Sequence, residues 1–271
     1  MKTDILTIRN DFLFGKVFED QELAKELLDR VLPELHIKEL KYTVRQRDTK
    51  EGITVRGIRF DLYTENNEYA FGVEMHNDRS TFTPQRTRFY ISSADMNLLE
   101  KGQAYSELKD LYVIIFCTYD PFDDGTMIYR YEYMHRKTGR LLNDGTHILY
   151  INCTSEKKED NPEIAPFCEY TLTGKATDEF TGRVENRVQR TLKDPVWRKE
   201  IMSYEMRLMD ERLSGYKKGM ELGIEQGREQ TMQEIIQKKT KEGRKYEEIA
   251  EFLDMTVDEV AALAERRDIL D

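Results

Sequence analysis

The chain has 271 residues, 35% of them charged, with 42 Lys and Arg against 52 Asp and Glu and a net charge of −10. That balance excludes a binder that works by bulk attraction to nucleic acid, whose affinity rests on neutralising phosphates. The longest strongly apolar run, Val113 to Cys117, falls far short of the roughly 20 residues a spanning helix needs, so a soluble protein with no membrane partner is predicted. The polar start, Met1-Lys2-Thr3-Asp4, lacks the apolar stretch of a secretory signal. Three cysteines, Cys117, Cys153 and Cys168, have no close spacing and suggest neither a disulfide framework nor a zinc site, which points to the cytoplasm.

Residues 10–32 predict one helix: Phe14, Val17 and Phe18 share a face, Leu23, Leu27 and Leu28 follow, and Pro33 stops it. Asp11 near its start suits the positive end of the helix dipole. Leu40 to Arg47 alternates like a strand and leads into a polar turn at Asp48 to Gly52. Six basic residues between Lys41 and Phe60, Arg59 the last of them, stand against only Asp48 and Glu51, and Arg79, Arg86 and Arg88 come later. Positive charge thus gathers around residues 57–77 and can guide a phosphate backbone there, although ordinary solvated faces carry such charges too.

Gly57 to Asn77 reads as a hairpin folded through Asn66-Asn67, because apolar and polar residues alternate on both sides of a pair that tolerates a tight turn. With those two residues as the whole loop, paired numbers sum to 133, which sets Asp61 opposite Gly72 and Glu74 opposite Arg59. One face then carries Arg59, Asp61, Glu74 and His76, and the other Phe60, Leu62, Phe71, Val73 and Met75. Asp61 and Glu74 become diagonal neighbours, roughly 7–8 Å apart at the backbone, from which two carboxylates can share a divalent cation. Gly72 leaves a gap beside them where a metal or a backbone can approach. Charges on the polar face of a half-buried hairpin are also consistent with solvation alone.

Thr83 as N-cap and Pro84 at the first helical position open a helix running to Glu100 with Phe89, Ile91, Met96 and Leu99; Gln85, Arg86 and Arg88 at its start reach back over the strand ends. Leu111 to Thr118 is a continuous apolar run, as in the centre of a covered sheet. Met127 to His135 and His147 to Asn152 read as further strands, giving a mixed sheet flanked by helices. Thr154 to Pro162 links to helices over 163–172 and 178–193 and a third opening at Asp194-Pro195, with Trp197 as an anchor.

Gly215, Gly219, Gly223 and Gly227 recur every four residues in a segment otherwise rich in helix formers. Each Gly inside a helix costs about 0.8–1 kcal/mol relative to Ala, so four in register imply a face that another helix approaches closely, either in a homodimer or on the same chain. Tyr246 to Ala264 resembles a helix-turn-helix with a capping box at Thr256 and Glu259. Its second helix opens Val257-Asp258-Glu259, and two carboxylates at that end speak against reading a DNA groove and for a packing module. The expected domains are residues 1–155, a helical extension at 156–213 and a C-terminal module at 214–271.

Asp61, a dozen residues, then Glu74 and His76 resemble the core of the PD-(D/E)XK nuclease superfamily, in particular its Rpn-type branch of recombination-promoting nucleases and transposases. Asn10 to Phe18 resembles that branch's opening Asp-x-x-Phe-Lys-x-x-Phe helix with Gly15 inserted; Arg86, Arg88 and Tyr90 resemble its Arg-rich helix, and Lys101 to Tyr105 its Gly-x-x-Tyr segment. The similarity covers about the first 150 residues. It implies a restriction-endonuclease-like α/β fold and a metal-dependent DNA endonuclease, with Asp61 and Glu74 holding Mg²⁺ or Mn²⁺ and Asp11 as a third acid. His76 stands where the family has Gln or Lys, so the third catalytic position falls to His76 or to Gln85. A catalytically inactive relative that binds nucleic acid or a protein is the alternative.

Overall fold

The computed structural model describes residues 6–44, 60–99 and 102–265. Two helices, α1 (Asp11–Val17) and α2 (Gln21–Val31), replace the single helix expected over 10–32. The break has a local cause: the Asp20 carboxylate accepts from the amides of Glu22 and Leu23, capping α2 and competing with continuation of α1. Phe12, Leu13, Phe14 and Val17 of α1 and Leu23, Leu27, Leu28 and Val31 of α2 are buried, as their spacing requires. Ahead of α1, Arg9 donates from Nε to the Thr171 carbonyl (2.9 Å) and from a terminal nitrogen to the Leu172 carbonyl (2.5 Å). The start of the fold is thereby tied to the end of α4 (Ala165–Thr173), where carbonyls lack helical partners.

Among the described residues six strands form one mixed sheet: β1 (Tyr42–Val44), β2 (Leu62–Glu65), β3 (Tyr69–His76), β4 (Asp110–Cys117), β5 (Ile128–Tyr131) and β6 (Thr146–Asn152), in the order β1-β2-β3-β4-β6-β5. β1, β2 and β3 run antiparallel, β3, β4 and β6 parallel, and β5 antiparallel to β6. The apolar run becomes the central strand β4, buried along its length apart from Asp110. The strand expected over 127–135 is only β5; beyond it a lone bridge joins Met134 to Leu141.

Helix α3 (Pro84–Leu98) covers one sheet face, where Tyr90, Ile91 and Ala94 pack with Tyr63, Ala70, Val113, Ile115 and Tyr150. Phe89 and Met96, expected among its apolar contacts, are exposed instead. On the other face the Phe116 ring meets Phe14 and Phe167, with centroids 6.5 and 5.3 Å apart. Helix α5 (Glu179–Lys193) buries Phe180 beside Phe167. Helix α6 (Pro195–Lys241) follows, with Trp197 half-buried under the Lys16 ammonium, 3.4 Å from the ring centroid.

Two compact units result, Met1–Met202 and Ser203–Asp271, so α4 and α5 share a unit with the sheet. In the second unit α7 (Tyr246–Leu253) and α8 (Val257–Glu265) close a small core of Ile236, Ile249, Ala250 and Val260. The capping box forms: the Thr256 amide donates to Glu259 at 2.8 Å, and the Glu259 amide to the Thr256 hydroxyl at 3.3 Å. Among the described residues, nothing lies within 4 Å of a Cβ added at any of the four α6 glycines, and no helix is long and apolar enough to cross a membrane.

Candidate active site

The hairpin forms in a register different from the expected one. Leu62 pairs with Val73, Tyr63 with Gly72, Thr64 with Phe71 and Glu65 with Ala70, so paired numbers sum to 135 and the turn tip is Asn67-Glu68. Asn66 sets this. Its side-chain oxygen accepts from the amides of Glu68 (2.9 Å) and Tyr69 (2.8 Å), while its own amide donates to the Tyr69 carbonyl, which makes Asn66 part of the closing pair. A slip of two keeps side chains on their faces but changes every partner. Asp61 therefore comes opposite Glu74 rather than Gly72.

Beyond the last backbone rung, the two acids bind each other's strands. The Asp61 amide donates to Glu74 Oε1 at 3.2 Å and the Met75 amide to Asp61 Oδ2 at 2.8 Å. Each residue is only 6% exposed. The gap expected over Gly72 is filled by the Phe60 ring, which would collide with any added Cβ. Phe60 was expected on the opposite face; it lies before β2 begins, free of strand alternation, and packs on Tyr63 and Tyr90 with centroids 6.3 and 5.2 Å away.

Burial pushes the Glu74 carboxyl well above the usual carboxylate range, and the Asp61 charge pushes it further; Asp11 adds a little and the Arg86 cation opposes. His76, at the end of β3, is half-buried, with Nδ1 2.5 Å from the Tyr119 hydroxyl and Nε2 3.4 Å from that of Thr81. Burial and then the Arg86 charge lower its pKa, so its proton leaves below the ordinary histidine range. Arg86 donates from Nε to the Tyr90 hydroxyl at 2.8 Å. Glu74, His76, Arg86 and Tyr90 line a cavity of about 20 Å³, room for one water molecule.

A family model described as a PD-(D/E)XK nuclease family transposase matches residues 8–218. The chain belongs to that family. A search of the curated proteins found no match. Membership supports a nuclease-type function, and the mixed sheet flanked by helices is the restriction-endonuclease-like α/β fold.

In this PD-(D/E)XK family member, then, Asp61, Glu74 and His76 come together at one end of β2 and β3 and Arg86 joins them from α3. Gln85 does not. It is exposed, its amide oxygen accepts from the Thr83 hydroxyl, and it is not among the cavity's lining residues, whereas Arg86, one helical step on and also exposed, lines the cavity. Arg88 is exposed on α3, and Arg79 pairs with Asp123 in the loop after β4. Arg59 lies outside the described residues. Asn77 donates to the Arg9 carbonyl at 2.8 Å, drawing the start of α1 to the end of β3, which is how the Asp11 charge reaches Glu74. The Asp11 carboxylate accepts from the Phe12 amide, and among the described residues no three metal-ligating side chains cluster, so Asp11 is not assembled with the pair as a third ligand.

Tyr119 escaped the sequence. Parallel pairing sets His76 beside Cys117, which brings the residue two further on to the His76 ring, and only the strand order could have revealed this. Tyr90 was legible as the residue four after Arg86, one helical turn away.

Proposed function

We propose that the chain is a divalent-metal-dependent DNA endonuclease that hydrolyses a phosphodiester at the Asp61–Glu74 pair. The observation that carries this reading is the direct opposition of two buried carboxylates, one of them destabilised in its charged form by the other. Paired hard oxygen donors short of positive charge suit Mg²⁺ or Mn²⁺, and Asp61 and Glu74 would hold the ion. When bound, that ion supplies Lewis-acid assistance to the phosphodiester and a more acidic water. Arg86, braced by Tyr90, offers a fixed cation to the developing phosphate charge. His76 is neutral at pH 7 and accepts a proton at Nε2 when Nδ1 donates to the Tyr119 oxygen.

The reading extends to Arg79, Arg86 and Arg88 as DNA contacts and to a role in transposition, recombination or defence. It includes a homodimer through α6, since cutting two strands with one site per chain is most directly done by two chains about a two-fold axis. A cytoplasmic setting belongs to it as well, which the buried free thiols of Cys117, Cys153 and Cys168 suit. The inactive relative remains the second reading, favoured by His76 at the third position and by backbone amides that already hold one oxygen of each acid.

Plasmid incubated with Mg²⁺ or Mn²⁺ tests the first reading. Nicking or linearisation is expected, abolished by EDTA and by Asp61→Ala or Glu74→Ala. Cleavage that survives both substitutions places the site elsewhere, and none in any condition supports the inactive relative.

A further inference from the structure

A cleft of about 220 Å³ lies away from the acids, between the start of α2 and one face of α5. Arg183, Arg187 and Arg190 line it from α5, and Asp20, Glu22 and Leu23 face them from α2. Steps of four and three along a helix put the three guanidinium groups on one side. Arg183 is tied to the Glu26 carboxylate, whereas Arg187 and Arg190 have no acidic partner among the described residues. One oxygen of the Asp20 carboxylate, Oδ1, accepts from the Glu22 and Leu23 amides, and Glu22 is exposed, so these two acids share the cleft's lining with the three arginines.

The Arg187 Nε is fully shielded from solvent and has no hydrogen-bond partner, one of two such side-chain atoms among the described residues. A buried charged donor left unsatisfied is costly, and native proteins rarely leave one without a ligand, ion or water to meet it. A half-buried cation and a second one turn away, neither with an acidic partner among the described residues, border an open volume that can take an anion. Guanidinium forks match the spaced oxygens of phosphate bidentately, and a tetrahedral phosphoryl group can meet two forks at once.

We propose that this cleft binds a phosphoryl anion through Arg187 and Arg190. The oxyanion comes either from free phosphate or from a nucleic-acid backbone, and both present the same chemistry. Binding here requires neither metal nor cleavage, so the proposal does not depend on the endonuclease reading.

The experiment uses the full chain in EDTA, with inorganic phosphate titrated calorimetrically and a short blunt duplex titrated by fluorescence anisotropy at several salt concentrations. Phosphate affinity is expected to fall about tenfold or more in Arg187→Gln and further with Arg190→Gln added, as for loss of charge-assisted bonds. Arg187→Lys, which keeps the charge but loses the planar fork, should also bind more weakly; wild-type affinity in that variant overturns the bidentate role of the Arg187 guanidinium. If the duplex is the source, its affinity falls in the variants and the salt dependence becomes shallower, because fewer phosphates are neutralised. Unchanged binding of both probes by the thermally stable double variant overturns the proposal.

Discussion

Gly72 in β3 and the four glycines of α6 present the same local feature, a missing side chain, in opposite surroundings. At Gly72 the space is taken: the Phe60 ring lies where a Cβ would stand, next to the acid pair. Along α6, a Cβ added at Gly215, Gly219, Gly223 or Gly227 meets no described atom within 4 Å beyond the helix's own backbone, and Met220, Leu222 and Ile224 between them are at least half exposed. A glycine filled by its own chain is part of the core's packing, and its replacement is resisted by neighbours that cannot leave. Glycines that meet nothing carry a helix-propensity cost that nothing visible in the chain offsets. The contrast sets a filled glycine beside the acid pair in the first unit against four α6 glycines that have open space among the described residues.

Substitution at the filled glycine should give the largest effect. Gly72→Val is expected to cost about 1–3 kcal/mol of stability in urea unfolding, as overpacking of a tight core does. Removing the obstacle with Phe60→Ala should recover part of that loss in the double variant; strictly additive losses would show that the ring and the glycine are not coupled, and the comparison would break. On α6 the sign reverses. Gly219→Ala should stabilise the chain by up to about 1 kcal/mol if the stripe meets nothing, whereas Gly219→Leu with Gly223→Leu should convert a dimer to monomer if a second α6 packs there. Light-scattering mass separates these outcomes, and a monomeric intact chain defeats the proposed dimer.

The filled side also predicts a pH dependence with a definite sign. The Glu74 carboxyl is raised in the folded state, so between its ordinary value of 4.5 and its folded value the native chain holds more protons than the unfolded one. Its stabilising contribution is complete below that lower value and is lost as pH rises through the folded pKa. Unfolding midpoints measured without divalent cation should show this fall, Glu74→Gln should flatten it, and a metal held by the pair should offset it. His76 works the other way: its lowered pKa contributes stability above 6.5 that disappears as pH falls through the folded value. The smallest expected change is in cleavage by His76→Gln, which should keep activity while losing a step in the rate profile below pH 6.5; an identical profile removes His76 from the chemistry.

Much of the site was legible because strand alternation survives an even slip. Asp61, Glu74 and His76 stay on one face whether paired numbers sum to 133 or 135, so the slip changes which residues lie opposite one another and not which acids lie near each other. What decided the register was one Asn side chain bonding two amides, a local choice between neighbouring turn residues that composition does not rank. Asp20 similarly had the composition of a helical residue and the role of a cap. Gln85 and Arg86 differ by one position, hence by about 100° of helix rotation, and the approach angle of α3 chose between them. The arginines of α5 have the spacing of any charged helix face, and only the cleft beside Arg187 sets them apart.

Arg9 gives the fold an order in time. Its two bonds reach carbonyls at Thr171 and Leu172, separated from it by 162 and 163 positions in the chain. A ribosome adding roughly 5–20 residues per second needs about ten to thirty seconds to synthesise that span. Until the last turn of α4 has emerged, the Arg9 side chain lacks both bonds and only the Asn77 bond to its carbonyl ties the start of α1 to β3, so this fastening of the first unit is completed late in synthesis.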